Sequence, residues 1–187
     1  MRLRLWCYVC RLFLVNKFPD KSSAAISSIP WDIIQNERKT KTMKIINSSI
    51  SDTDLCAQLK SHVYDILGCC QDVHRELGPW LNEYIYQEAL KMSLEEKQVP
   101  FVKEYYFQVT YHGHPLSHKH YMDFLCKGNV AVECKAISSI GVEQRQQLWN
   151  YMRLSGICIG ILYNFAPVRD QCERYYLDKN TEHMYAF

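Results

Sequence analysis

The chain has 187 residues, of which 48% are hydrophobic, and its 22 basic and 20 acidic side chains leave a net charge of +2. This length is enough for one domain with a real core, and the composition excludes a disordered chain, a coiled coil and a protein that coats nucleic acid through its global charge. A nucleic-acid partner would therefore be held by a local basic patch or through metal ions. The nine cysteines lie mostly in apolar runs, which favours buried thiols in a reducing, cytoplasmic compartment.

Residues 1–50 are predicted to be a poorly ordered or non-native N-terminal extension. Residues 1–15 are basic and apolar, but they are shorter than the roughly 20 residues that a membrane helix needs, so no stable membrane association is expected. Residues 16–42 are mixed polar without periodicity, which is typical of disorder. Met43 opens a stretch that resembles a translation start. The hypothesis is that residues 1–42 are upstream sequence read in frame, and the folded domain is expected over residues 51–187.

Two amphipathic helices are predicted at the start of this domain. Residues 51–54 are typical of a helix N-terminus, with a serine cap and an acidic first turn. Apolar residues then recur at spacings of three and four as far as Leu77, and the Gly-Pro pair that follows ends the helix. A second helix is predicted from about Asn82 to Lys97.

The C-terminal part of the chain is predicted to form a mixed sheet. A third helix, Gly141–Ser155, interrupts the strands and is ended by Gly156. Hairpin-linked strands followed by a helical crossover to a buried strand imply an α/β fold with helices on both faces of the sheet. The predicted strands are Phe101–Tyr111, Leu116–Cys126, Asn129–Ala136, the continuous apolar run Ile157–Tyr163 and an edge strand Arg174–Leu177.

The hairpin from His120 to Ile137 carries three charged residues that could form a site. Its tight turn is predicted at Lys127–Asn129, because Gly and Asn tolerate the positive φ that such a turn requires. Asp123 lies on the first strand and Glu133 and Lys135 on the second, so alternation predicts that the three side chains share one face. Two carboxylates supply the hard oxygen ligands that Mg²⁺ prefers, with a cation beside them. The alternative is an exposed ion cluster that contributes little.

Further short motifs extend this pattern over most of the domain. They are His74–Pro79, Leu81–Leu90, Tyr121–Asp123, Val132–Ala136, Gln147–Tyr151 and Asn164–Phe165. Together with the αβββαβ order of the elements, these motifs resemble the PD-(D/E)XK nuclease superfamily and, more narrowly, its GxxExxY family. The chain departs from the family at Trp80, which stands where the family has its first motif glycine.

The resemblance implies a restriction-endonuclease-like α/β core and Mg²⁺-dependent hydrolysis of phosphodiester bonds, with Mn²⁺ able to substitute. Asp123 and Glu133 would hold the metal, with the backbone carbonyl of Cys134 and, as a further candidate, Glu83. Lys135 would orient or deprotonate the attacking water and stabilise the charge that builds on the phosphate. The implied substrate is nucleic acid, DNA rather than RNA, and many enzymes of this fold act as homodimers.

The remaining candidates each have two interpretations. Glu83 is either a third carboxylate of the site or a solvated helix residue. Gln147 and Tyr151 are four residues apart and share a helix face; their resemblance to the QxxxY motif of RecB-like nucleases implies contact with the site or with the strand that is cut, and the alternative is core packing. Lys119 and Arg145 either reach the nucleic acid or remain solvated charges.

The sequence therefore predicts a single-domain, metal-dependent nuclease whose catalytic residues are Asp123, Glu133 and Lys135. The rival interpretation is a non-catalytic nucleic-acid-binding or regulatory module that keeps the nuclease fold. The intact charged set argues against the rival, because a dormant site has no physical need for buried like charges, whereas Trp80 favours it. A third interpretation is an unrelated α/β protein with a charged hairpin.

Overall fold

The computed structural model describes residues 53–187, so the predictions for residues 1–50, including a start at Met43, lie outside the described residues. Two helices come first, α1 (Thr53–Leu77) and α2 (Glu83–Glu96). Gly78 ends α1 with a φ of 71°, and Asn82 is the N-cap of α2. Both helices are confirmed close to their predicted bounds.

Eight strands and one more helix follow, and six of the strands form a mixed sheet in the order β1-β4-β5-β6-β7-β8. Only β5 and β6 run parallel among these neighbours, and helix α3 (Val142–Ser155) makes the crossover between them. This mixed sheet confirms the predicted fold class. The strands are β1 (Phe101–Phe107), β2 (Thr110–Tyr111), β3 (His114–Pro115), β4 (His120–Cys126), β5 (Val130–Lys135), β6 (Ile159–Asn164), β7 (Gln171–Asp178) and β8 (His183–Ala186).

Helices cover both faces of the sheet, and each face has its own buried cluster. The α1/α2-side cluster joins these two helices to the sheet through residues such as Phe124 and Val132. The α3-side cluster joins α3 to the other face. There the packing is close, since a Cβ added at Gly160 of β6 would overlap Met152 Sδ and lie 3.1 Å from Leu148 Cδ2. Within residues 53–187, the structure has no helix that is long and apolar enough to cross a bilayer.

The predicted strand Phe101–Tyr111 is wrong beyond Phe107, where the chain leaves the sheet. Strands β2 and β3 form a separate two-stranded ribbon, and β4 begins at His120 rather than at Leu116. The amide of Gln108 stabilises this departure by donating to the carbonyls of Val109 at 3.0 Å and Leu116 at 2.9 Å.

The predicted edge strand at Arg174–Leu177 is longer than expected and is not at the edge. Strand β8 pairs outside β7, with Leu177 opposite Met184. The connecting turn is held by the Asp178 carboxylate, which accepts the Asn180 N–H at 2.9 Å. The edge position therefore passes to a four-residue strand that the sequence pattern does not predict.

The turn between β4 and β5 lies where it is predicted, but different residues adopt the left-handed backbone. Lys127 has a φ of 51° and Gly128 a φ of 71°, whereas Asn129 donates its N–H to the Cys126 carbonyl at 3.1 Å. The expectation that Asn129 supplies the positive φ is wrong. Lys127 Nζ donates to the His62 carbonyl at 2.9 Å, which ties the turn to α1.

Candidate active site

At Asp123, strand β4 switches the face of the sheet on which its apolar side chains are buried. Met122 belongs to the α3-side cluster and Phe124 to the α1/α2-side cluster, although regular alternation would place them on one face. On the neighbouring strand β1, Glu104 has a φ of 51° at the corresponding level. The distortion turns the Asp123 carboxylate toward β5, where its Oδ2 accepts the backbone N–H of Cys134 at 2.8 Å. Local distortion of a strand pair commonly re-aims a side chain in this way.

The regular β4–β5 ladder ends at Phe124. Beyond it, the hydrogen bond from the Cys134 N–H to the Asp123 carboxylate connects the two strands. The Lys135 carbonyl accepts the Phe165 N–H at 2.8 Å and so faces β6. Because successive residues of a strand alternate in the direction of their polar groups, the N–H and the carbonyl of Cys134 face the opposite strand, β4. The Cys134 carbonyl therefore lies on the side of the Asp123 carboxylate.

Glu133 and Lys135 lie on the α3-facing side of β5, as alternation with buried Ala131 requires. Lys135 Nζ is 2.7 Å from Glu133 Oε1, and the Glu133 side chain is only 2% exposed. The second oxygen, Glu133 Oε2, has no hydrogen-bond partner among residues 53–187. A buried carboxylate oxygen without a partner is costly, and most such atoms in folded proteins are satisfied by a protein group, water or an ion.

Burial and like charge make both carboxylates hold protons more tightly than usual. Burial, and after it the charge of Asp123, raises the pKa of Glu133 to about 7. Burial also raises the pKa of Asp123, against the hydrogen bond from Cys134. For Lys135, burial acts to lower the pKa, but the nearby carboxylates, Glu133 first, outweigh it and the pKa lies above its usual value. The arrangement is a site at which an added cation would relieve repulsion.

Glu83 is the first residue of α2 and lies close enough to act on the same groups. Its charge contributes to the raised pKa of Asp123 and of Glu133. Within residues 53–187, however, no three His, Cys, Asp or Glu side chains are grouped closely enough to hold a metal. Glu83 adds to the negative potential at the site, and its role as a metal ligand stays a prediction.

Gln147 and Tyr151 are neighbours on α3, on the side of the sheet that carries Glu133. Gln147 Nε2 donates to Tyr151 Oη at 3.1 Å. The Tyr151 ring packs edge-on against Phe107 with 5.6 Å between centroids, and Phe107 stacks on His120 at the same distance. Tyr151 thus combines core packing with a hydroxyl that is fixed by Gln147.

The mixed sheet with helices on both faces agrees with the comparison with known families. A sequence profile of the PD-(D/E)XK nuclease superfamily matches residues 60–175. The chain belongs to the PD-(D/E)XK nuclease superfamily. Membership suggests nuclease activity on a nucleic-acid substrate, and PD-(D/E)XK nucleases generally use divalent metals such as Mg²⁺. Neither a curated protein nor a solved structure matches the chain significantly.

The two basic candidates of this PD-(D/E)XK chain differ in their surroundings. Lys119 is exposed just before β4. Arg145 forms a bidentate ion pair with Glu173: its Nε donates to Oε2 at 2.7 Å and its Nη2 to Oε1 at 2.6 Å. A contact between Arg145 and nucleic acid stays a prediction, and it would compete with this pair.

One contact outside the charged hairpin was not visible in the sequence. His74, near the end of α1, has its Nδ1 3.1 Å from the carbonyl of Phe165, the residue that follows β6. The two residues are 91 positions apart in the chain, and no local pattern in the sequence indicates the contact. A cleft of about 460 Å³ opens beside His74. It contains none of the candidate catalytic residues and is lined by Gln71, His74, Arg75, Gly78, Pro79, Val168 and Asp170.

Proposed function

We propose that this PD-(D/E)XK chain is a metal-dependent nuclease of the GxxExxY family that hydrolyses phosphodiester bonds, with DNA preferred over RNA. The observation that carries the proposal is Glu133 Oε2, a buried carboxylate oxygen without a partner among residues 53–187, in a site whose other acid is Asp123. A purely structural ion pair with Lys135 would leave that oxygen unsatisfied. A divalent cation would satisfy it.

The donor set fits Mg²⁺, with Mn²⁺ as a substitute. Asp123 and Glu133 would hold the ion, and the Cys134 carbonyl is the third candidate ligand. Mg²⁺ binds hard oxygen atoms and keeps several waters, so one or two carboxylates suffice in sites where the substrate phosphate also binds. Glu83 would add to the negative potential from the start of α2. When bound, the metal would polarise a phosphate oxygen and lower the pKa of a bound water.

Lys135 is proposed to stabilise the charge that develops on the attacked phosphate. The neighbouring carboxylates raise its pKa against the lowering effect of burial, so the ammonium holds its proton firmly at neutral pH. This favours hydrogen-bond donation to a phosphate oxygen, or the orientation of the attacking water, over removal of a proton from that water. Glu133 Oε1 fixes Lys135 Nζ in place at 2.7 Å.

The supporting residues would act on the strand that is cut. The Gln147–Tyr151 hydrogen bond holds two polar groups on the α3 side, where they could contact the substrate or orient the site. Lys119 is proposed to contact the backbone phosphates, and Arg145 would do so only by giving up part of its pair with Glu173. The folded unit is proposed to span residues 51–187, to act in the cytoplasm and to cut both strands of a duplex as a homodimer.

A panel of substrates with metal added back tests the proposal. The full chain, first treated with EDTA, is incubated with circular duplex DNA, linear duplex DNA, single-stranded DNA and RNA, each with Mg²⁺, Mn²⁺ or no metal. The proposal predicts cleavage of DNA only when a metal is present, and cleavage of the circular duplex would identify an endonuclease. If no metal supports cleavage of any substrate and Mn²⁺ does not raise the melting midpoint, the non-catalytic module is the better account.

A further inference from the structure

Two exposed tyrosines lie side by side on the sheet near the candidate active site. Tyr106 of β1 and Tyr121 of β4 are opposite each other in the antiparallel ladder. Their ring centroids are 5.5 Å apart, with 49° between the planes, and the residues are 40% and 46% exposed. Adjacent large aromatic rings open to solvent are common at binding surfaces, because one face of each ring stays available for stacking.

The two rings lie on the face of the sheet away from α3. Their chain neighbours Tyr105 and Met122 are also paired across the strands, and both pack with the α3-side cluster. Alternation therefore places Tyr106 and Tyr121 on the face that α1 and α2 cover elsewhere. At this end of the sheet the helices leave the pair uncovered.

Tyr106 is held rigidly before any ligand arrives. Its hydroxyl donates to the Gln108 side-chain oxygen. The amide nitrogen of Gln108 in turn donates to the carbonyls of Val109 at 3.0 Å and Leu116 at 2.9 Å. The residues that flank the β2–β3 ribbon thus anchor the ring through Gln108. A fixed ring loses little conformational entropy on binding, which increases the affinity that stacking provides.

The pair lies near Asp123, on the face of the sheet opposite to the one that carries Glu133 and Lys135. Tyr121 is two residues from Asp123 on β4, a distance of about 7 Å along the strand. Lys103 occupies the same side of β1 as α2, where its Nζ lies 5.6 Å from the centroid of the Tyr84 ring, and its charge acts on Asp123. Lys119 is exposed at the start of β4. These ammonium groups favour a polyanion along the route from the rings to Asp123, and exposed Glu104 is the opposing charge on β1.

We propose that Tyr106 and Tyr121 form a stacking platform for unpaired bases, and that the preferred substrate is a strand with unpaired bases next to the phosphate that is cut. This inference rests on the proposed nuclease function and names its substrate class. Aromatic rings beside a basic path are the usual means by which proteins hold single-stranded nucleic acid, since every base has a face that can stack. The competing explanation is a cross-strand pair that only stabilises the sheet.

Binding of a fluorescent oligothymidylate, measured by anisotropy with Ca²⁺, tests the platform. Three oligonucleotides serve as probes: the single strand, the same strand with three adjacent abasic positions, and the duplex. The full chain is compared with Tyr106→Ala/Tyr121→Ala, with Tyr106→Phe/Tyr121→Phe, and with Tyr64→Ala, a control tyrosine on α1 that is 75% exposed.

The platform predicts at least a tenfold loss of single-strand affinity in the double alanine variant, as expected for the loss of base stacking. Tyr64→Ala should bind within twofold of the unmodified protein. The double phenylalanine variant keeps both rings and loses the Tyr106–Gln108 hydrogen bond, so its loss of affinity should be much smaller than that of the double alanine variant. The unmodified protein should also bind the abasic strand at least about tenfold more weakly than the intact strand, and the duplex more weakly still. This comparison needs no variant, so it can still refute stacking if the alanine variant unfolds.

Equal affinity for the intact and the abasic strand would overturn the platform, as would unchanged binding by a folded double alanine variant. Cleavage of the same oligonucleotides with Mg²⁺, measured in parallel, tests the nuclease function separately from the stacking platform. If the protein cuts the oligonucleotides and substitution of the two tyrosines does not change binding, only the platform proposal is wrong. If it binds the single strand through the tyrosines but never cuts, the nuclease proposal fails and the platform stands.

Discussion

The carboxylate of Asp123 accepts the backbone N–H of Cys134 at 2.8 Å. This hydrogen bond replaces a backbone hydrogen bond of the β4–β5 ladder. One acid of the candidate site is therefore held by the backbone of the strand that carries the other acid, Glu133. A distortion centred on Glu104 and Asp123 makes this possible. The regular pairing of the two strands ends next to this distortion, at Phe124.

Substitution of Asp123 should separate its structural role from its chemical role. Both variants remove a buried charge that is disfavoured in the metal-free fold, and they differ in whether the Cys134 N–H keeps an acceptor. Asp123→Asn keeps a carbonyl oxygen that can accept this N–H, so in EDTA at pH 8 it should be at least as stable as the unmodified protein. Asp123→Ala leaves the N–H without its acceptor and should be about 1–3 kcal/mol less stable than Asp123→Asn. Urea denaturation followed by circular dichroism measures both. Equal stability of the two variants would show that the hydrogen bond contributes nothing.

Glu133 should make the metal-free protein less stable as the pH rises. Burial and Asp123 raise its pKa from 4.5 in the unfolded chain to about 7 in the fold, so the folded state holds the proton more tightly. Stability in EDTA should then fall between about pH 4.5 and 7 and stay low above that range. The pKa of Asp123 is also raised by burial, so Asp123 adds to the loss of stability at the acidic end of this pH range.

The matched variant is Glu133→Gln, which keeps the size of the side chain without the charge. In EDTA at pH 8 it should be more stable than the unmodified protein by about 1–3 kcal/mol. With Mn²⁺ only the unmodified protein should gain a higher melting midpoint, because only it retains both carboxylates. Melting curves from pH 4.5 to 8 provide the measurement, and a flat profile for the unmodified protein would contradict the prediction.

Arg145 and Glu173 should be coupled in stability. Their two-pronged pair, at 2.6 and 2.7 Å, is about one-third exposed, so each single alanine substitution should cost about 1 kcal/mol. The double alanine variant should cost little more than either single one. A double-mutant cycle from urea denaturation gives the coupling energy. Additive losses, together with weaker DNA binding in Arg145→Ala alone, would instead favour the nucleic-acid contact.

Trp80→Gly should stabilise the protein. Trp80 has a φ of 72°, in the left-handed region that costs most residues about 1–2 kcal/mol but costs glycine almost nothing. The side chain is 69% exposed, so little packing is lost, and the greater entropy of glycine in the unfolded chain offsets part of the gain. The expected net gain is about 0.5–1 kcal/mol in urea denaturation. Trp80→Ala is the control, since alanine keeps the strain, and it should bring no gain.

The sequence predicted the elements whose pattern is long or strongly periodic. Apolar spacing identified α1, and the uninterrupted run before Tyr163 identified the buried strand β6. It also placed Glu133 and Lys135 on one face, because alternation along β5 is regular. These are local properties of the chain, which composition and periodicity express directly.

The remaining features depend on partners that are distant in the sequence. Strand β8 has four residues, too few for a periodic signal, and it exists because β7 offers it an edge. The Arg145–Glu173 pair joins residues that only the sheet brings together. The direction of the Asp123 side chain depends on a backbone distortion at Glu104 of the neighbouring strand. Alternation along β4 alone therefore does not predict it.

Metal-dependent cleavage by matched variants tests the central claim most directly. A labelled DNA strand is cut under single-turnover conditions with Mg²⁺ by the unmodified protein, by Asp123→Asn, by Lys135→Met and by Arg153→Ala, a basic residue of the solvent side of α3 that serves as the control. The account predicts rates at least about 10²-fold lower for the first two variants, with folds intact by circular dichroism, and an unchanged rate for the control. Cleavage by folded Asp123→Asn or Lys135→Met at the unmodified rate would contradict it.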